Sequence, residues 1–179
     1  MTEVPKVHDF WKWVEEHKQK LQPPVGNALM YNGELKVQVI SGPNQRTDFH
    51  VEEHEEYFHQ LKGDMVLRIV DPTVVDRVEF KDIVIKEGEM FCLPARIPHS
   101  PQRVADTLGL VIELERNESD VDYLRWYCDN DKCREIVYQE GFHCKDLGKQ
   151  LKPVIEGYYQ SDEKRTCKKC GHKNIITNK

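Results

Sequence analysis

Hydrophobic and polar positions repeat with two different periods along the chain. Near the N-terminus Phe10, Trp13, Val14, His17 and Leu21 recur at three- and four-residue spacing, with Asp9 placed to cap a helix and Pro23-Pro24 to end it. This predicts one amphipathic helix packed on a larger body. From Ala28 the period becomes two. Leu35, Val37 and Val39 alternate with Glu34, Lys36 and Gln38, just after Asn32-Gly33, a dipeptide that favours hairpin turns. Met65, Leu67 and Ile69 alternate before Asp71-Pro72, and residues 78–80, 83–85, 90–93 and 108–114 supply further short strands. Some seven or eight strands with no helix between them predict an antiparallel sandwich or barrel.

Around residues 117–122 the alternation yields to cysteines, lysines and isolated aromatics. The expected organisation is therefore a helix in residues 1–24, a barrel in 25–117 and a small Cys-rich extension in 118–179. In that extension Leu147, Leu151, Val154, Ile155 and Tyr158 fit a helical stripe. Pro153 lacks an amide proton and is expected to kink or begin that helix.

Charge and composition narrow the class. Lys and Arg number 26 against 31 Asp and Glu, a net charge of −5, and 32% of the 179 residues are charged. That is a water-facing composition, with enough apolar residues for a core. The stretch from Met1 to Glu16 mixes acids, bases and tryptophans, so neither a leader nor a membrane segment is expected, and a cytoplasmic location follows. The net acidity disfavours a general nucleic-acid binder, and the basic run Lys164-Arg165 with Lys168-Lys169 is read as a solvated face. In a reducing compartment, clustered cysteines bind metal more often than they form disulfides.

Two pieces of the barrel carry candidate chemistry. One runs from Gly42 through Arg46, Asp48 and His50 into an acid-rich loop ending at Glu56; the other runs from Gly88 through Pro94 to His99. Two imidazoles and one carboxylate on neighbouring strands can occupy one face of an octahedral ion, leaving positions open, as in non-haem Fe(II) oxygenases. Asp48 is a candidate to orient a histidine ligand through its second nitrogen. Glu52, Glu53 and Glu55 share the loop with Glu56; the following Tyr57-Phe58 favours Glu56. Cys92 is expected to pack in the barrel wall.

At the C-terminal end, Cys128 and Cys133 form one cysteine pair and Cys167 and Cys170 another, suited to a closed, structural four-thiolate site for zinc or iron. Cys144 or His143 could stand in for Cys133.

These spacings resemble the two cupin motifs. Gly42, His50, Glu56 and Gly63 match the first, with Asp48 in place of its first histidine. Gly88, Pro94 and His99 match the second, with Arg96 in place of Gly and Arg103 in place of Asn. Together with residues 44–50, 98–103 and Val111-Ile112-Glu113, they resemble the 3-hydroxyanthranilate 3,4-dioxygenase family. The resemblance implies an all-β cupin double-stranded β-helix barrel of jelly-roll type, with an N-terminal helix and a C-terminal metal-binding extension. It implies opening of the ring of 3-hydroxyanthranilate by O2, in the kynurenine route to NAD. It also implies Fe(II) on His50, Glu56 and His99, substrate contacts from Glu56, Arg103 and Glu113, and Arg46 near oxygen. Arg46, Arg103 and Glu113 are thus the expected catalytic residues. A homodimer and a rubredoxin-like Cys128, Cys133, Cys167, Cys170 iron or zinc site follow from the same resemblance. Two rivals stand beside this: a cupin sugar-phosphate isomerase or epimerase, favoured by a fourth histidine where Asp48 stands, and a non-catalytic small-acid binder with a zinc-ribbon tail.

Overall fold

The computed structural model describes residues 4, 6–22, 26–44, 46–144 and 147–176, with the side chains of 147–149 left aside; Pro23-Pro24 lie outside the described residues. Asp9 caps helix α1 (Phe10–Glu16), its carboxylate accepting from Lys12 N at 2.9 Å. The helix stops sooner than the hydrophobic stripe, but Leu21 still reaches the cluster of Trp13, Ala28, Val39 and Leu108 that fastens this segment to the barrel.

Eleven strands follow among the described residues: β1 (Gly26–Asn32), β2 (Leu35–Ser41), β3 (Phe49–Val51), β4 (Glu56–Lys62), β5 (Met65–Val70), β6 (Phe80–Ile85), β7 (Met90–Leu93), β8 (His99–Arg103), β9 (Leu108–Leu114), β10 (Asp122–Tyr127) and β11 (Ile136–Phe142). One sheet has the order β1-β2-β9-β4-β7 and the other β11-β10-β3-β8-β5-β6, with antiparallel pairing throughout. Between them lies a core of Phe58, Leu93 and Val111 from the first sheet and Met65, Leu67, Ile69 and Ile85 from the second. This is the expected all-β barrel of jelly-roll type. The alternating strands recognised in the sequence are those whose two faces meet such different surroundings.

The expected boundary between residues 117 and 118 is corrected by the strand pairing. β10 is hydrogen-bonded to β3, with Leu124 opposite His50, and β11 to β10. Two strands assigned to the extension therefore belong to the second sheet. In β10 the buried positions include an aspartate, so residue type hides the period-two burial.

Beyond β11 come α2 (Leu147–Tyr159) and α3 (Asp162–Arg165). Helix α2 runs through Pro153 instead of starting there. Tertiary packing offsets the hydrogen bond that proline cannot make: Tyr158 stacks on Trp126 at 4.2 Å between ring centroids, and Leu151, Val154 and Ile155 join the same cluster.

Candidate active site

His50 and His99 are brought together by register. They are directly opposite in the β3–β8 pairing, their rings 5.4 Å apart, and Glu56 enters from the first residue of β4. One ligating atom from each of the three lies within 4.8 Å of the others, and all three side chains are buried. A backbone carbonyl only accepts, so the 3.0 Å contact between His99 Nδ1 and Ile97 O places the proton on Nδ1. In a neutral ring the lone pair of Nε2 then faces Glu56 Oε2, 2.7 Å away, and that oxygen is buried without a hydrogen-bond partner. Two electron-rich atoms in such contact call for a proton or a cation between them. Burial works against a charged His99, but Glu56 outweighs it and holds the ring's pKa above its ordinary value. Burial instead lowers the pKa of His50, keeping it neutral as a ligand must be. These residues fit a divalent metal.

The orienting role expected of Asp48 falls to Asp122. His50 Nε2 lies 2.8 Å from Asp122 Oδ2, whereas Asp48 pairs with Arg46, Nη2 to Oδ2 at 2.5 Å. Asp48 precedes β3, while Asp122 sits on β10, the strand beside it.

Around the trio lies a buried charge network that the sequence did not announce. Arg116 forms ion pairs with Glu52, with Glu113 at 2.8 Å and with Asp122 at 2.9 Å. Glu113 also accepts from Gln38, which in turn accepts from Asn27. Glu52 joins Glu56 and Glu113 in a second close group, so two glutamates of the acid-rich loop, not one, point inward. Burial pushes Glu113 up to about 7. Burial, reinforced by the charge of Glu56, pushes Glu52 up to about 10.

The two expected arginines differ. Arg103 is buried, makes no ion pair among the described residues, and donates from Nη1 to Gln60 at 2.7 Å. Burial lowers its pKa to about 10, with Glu56 the one charge raising it. Arg46 is neutralised by Asp48 but remains within electrostatic reach of Glu56. It also lines a cavity of about 370 Å³ with Phe49, Phe80, Ser100, Gln102 and Tyr127, which reaches the cysteine unit.

Cys128, Cys133, Cys167 and Cys170 converge as a second group. Their sulfurs lie 3.6 Å (Cys128 to Cys170) and 3.7 Å (Cys133 to Cys167) apart. Sulfurs about 2.3 Å from a tetrahedral ion are separated by about 3.8 Å, so this is the spacing of thiolates around a metal, not of disulfides. The wider Cys128–Cys133 loop closes without help: Cys144 is buried away from the cluster, near Asp122, and His143 Nδ1 lies 3.1 Å from Asp120 O. Cys92 is exposed, because its neighbour Leu93 takes the inward face of β7.

Comparison with known proteins gives the family of the chain. A model of the 3-hydroxyanthranilic acid dioxygenase family matches residues 1–159. The 3-hydroxyanthranilate 3,4-dioxygenase of Podospora anserina is 50% identical over 160 residues, covering 89% of this chain and 84% of its own. That of Scheffersomyces stipitis is 48% identical over 171 residues, 96% of each chain. The rat protein of the same name is 50% identical over 156 residues, 87% of this chain and 52% of its own. Among solved structures, a cupin-2 domain protein from Shewanella frigidimarina aligns with a TM-score of 0.47 at 14% identity, over 60% of this chain and 94% of that one. The chain belongs to the 3-hydroxyanthranilic acid dioxygenase family.

Proposed function

We propose that this protein opens the ring of 3-hydroxyanthranilate with O2, both oxygen atoms entering 2-amino-3-carboxymuconate semialdehyde, which closes spontaneously to quinolinate. Family membership supports the reaction. The observation that carries it to these residues is the meeting of two imidazoles and a carboxylate beside a buried guanidinium without a carboxylate of its own.

In this reading His50, Glu56 and His99 hold Fe(II), which when bound supplies the Lewis-acid and electron-transfer chemistry that reaction of an aromatic ring with O2 requires. Arg103 receives the ring carboxylate, for which a planar guanidinium is the best-matched partner. Glu113, its pKa raised by burial to about 7, accepts the proton of the substrate hydroxyl in its ionised form. Glu56 borders the substrate as well as the ion, and Arg46, fixed by Asp48, stands on the oxygen side. Phe58, whose ring lies 6.2 Å from that of His99, joins Leu93 and Val111 in the buried core behind the trio.

The four cysteines hold a second, structural iron or zinc whose binding free energy folds the C-terminal unit. By family resemblance the protein is a cytoplasmic homodimer; among the described residues no helix is long and apolar enough to cross a membrane.

Anaerobic mixing tests the reading. Iron-loaded protein should bind 3-hydroxyanthranilate without oxygen and lose the aromatic absorbance in one turnover when O2 is admitted. Absorbance that stays unchanged under air would refute it.

A further inference from the structure

The same barrel treats two buried arginines in opposite ways. Arg116 is surrounded by three acidic side chains, Glu52, Glu113 and Asp122. Arg103 is equally hidden, 3% exposed, yet its side chain meets a neutral amide. A guanidinium already paired with an acid has little left to offer a ligand carboxylate; one held by an amide keeps its charge.

The amide belongs to Gln60, which is fully buried on β4. Its orientation is determined, since Nε2 donates to Lys62 O at 3.0 Å and a carbonyl cannot donate back; Oε1 must face Arg103. The contact is made to Nη1 of Arg103, while Nε is buried with no partner. Nε and Nη2 form the side edge of the guanidinium, the edge that takes a carboxylate through two parallel hydrogen bonds. Gln60 thus grips the arginine from the end that a ligand does not need.

The backbone is arranged around this contact. Gln60 pairs with Gly109 of β9, and the register shifts between Gln60 and Lys62. A Cβ on Gly109 would stand 2.7 Å from Gln60 Oε1 and 3.0 Å from Arg103 Nη1, so the glycine leaves the room that the pair occupies. Asn44 clamps the base of Arg103 from the other side, its Oδ1 accepting from Arg103 N at 2.7 Å.

We propose that Gln60 is the positioning residue for Arg103: it holds the guanidinium in place without neutralising it, and so sets the requirement for a carboxylate on the aromatic ring of the substrate. This rests on the reading of Arg103 as the partner of that carboxylate. The prediction concerns discrimination between 3-hydroxyanthranilate and 2-aminophenol, the same ring without the carboxylate.

The test is anaerobic calorimetry of the iron-loaded wild type, Gln60→Glu and Gln60→Met with both compounds, together with iron per chain and thermal melting. Gln60→Glu gives Arg103 an internal acid; Gln60→Met keeps the volume and removes the acceptor. In both, affinity for 3-hydroxyanthranilate should fall by roughly 10- to 100-fold while that for 2-aminophenol changes by less than about threefold. Iron content should stay at the wild-type level. A folded, iron-loaded variant of either kind that keeps the wild-type ratio of the two affinities overturns the assignment of Gln60. A wild type that shows no preference for the carboxylated ring overturns the reading of Arg103 as well, which separates the two failures.

Discussion

His50 Nε2 and Asp122 Oδ2 lie 2.8 Å apart although 72 residues separate them in the chain. The carboxylate can only accept, so His50 donates from Nε2 and keeps its lone pair on Nδ1. Asp122 therefore selects the tautomer of a proposed iron ligand. Asp122→Asn should weaken Fe(II) binding at the barrel by about 10-fold or more, measured by titration with metal analysis. Unaltered affinity would remove Asp122 from that role.

Arg116 pairs with three buried acids, of which Asp122 is held ionised below the ordinary carboxylate range and Glu113 is partly ionised at neutral pH, and its own side chain is 2% exposed. Arg116→Met should destabilise the protein by about 3–5 kcal/mol in denaturant unfolding at neutral pH, because removing one partner strands buried charge. The loss should shrink as pH falls and the carboxylates take up protons. A variant as stable as wild type at neutral pH would show that water already compensates these acids.

Glu113 gives a signed pH effect. Its folded pKa of about 7 stands above the ordinary 4.5, so between these values the folded state binds more protons than the unfolded state. Stability from this group is present below about 4.5 and is lost as pH rises toward 7. In metal-free protein, Glu113→Gln should gain stability relative to wild type across that window, by on the order of 2–3 kcal/mol. Denaturation curves at several pH values that run parallel for the two proteins would contradict it.

The two proposed metal centres should separate by mutation. His99→Ala should abolish iron loading in the barrel and leave the thiolate metal in place, whereas Cys170→Ser should lower the second metal and loosen the C-terminal unit. Elemental analysis and protease sensitivity read both. Loss of both metals from His99→Ala would indicate that the barrel itself had failed to fold.

Much of this was legible in order along the chain. Alternation at Leu35, Val37 and Val39 and at Met65, Leu67 and Ile69 marked β2 and β5, because one face of each strand meets the core. The spacing around His50, Glu56 and His99 marked the three side chains that converge in the barrel, since positions on paired strands recur with fixed local offsets. Likewise, two short cysteine pairs announced the four-cysteine cluster.

What only the tertiary structure decided is which side chain answers which. β10 joins β3, so Asp122 and not the nearer Asp48 orients His50; Arg116 gathers acids from three segments; Gln60 meets Arg103 through room left at Gly109. Periodicity and motif spacing report on local backbone geometry, which a few neighbouring residues impose. Partners across strands depend on register and on the direction each side chain takes from it, and these are set when distant segments pack.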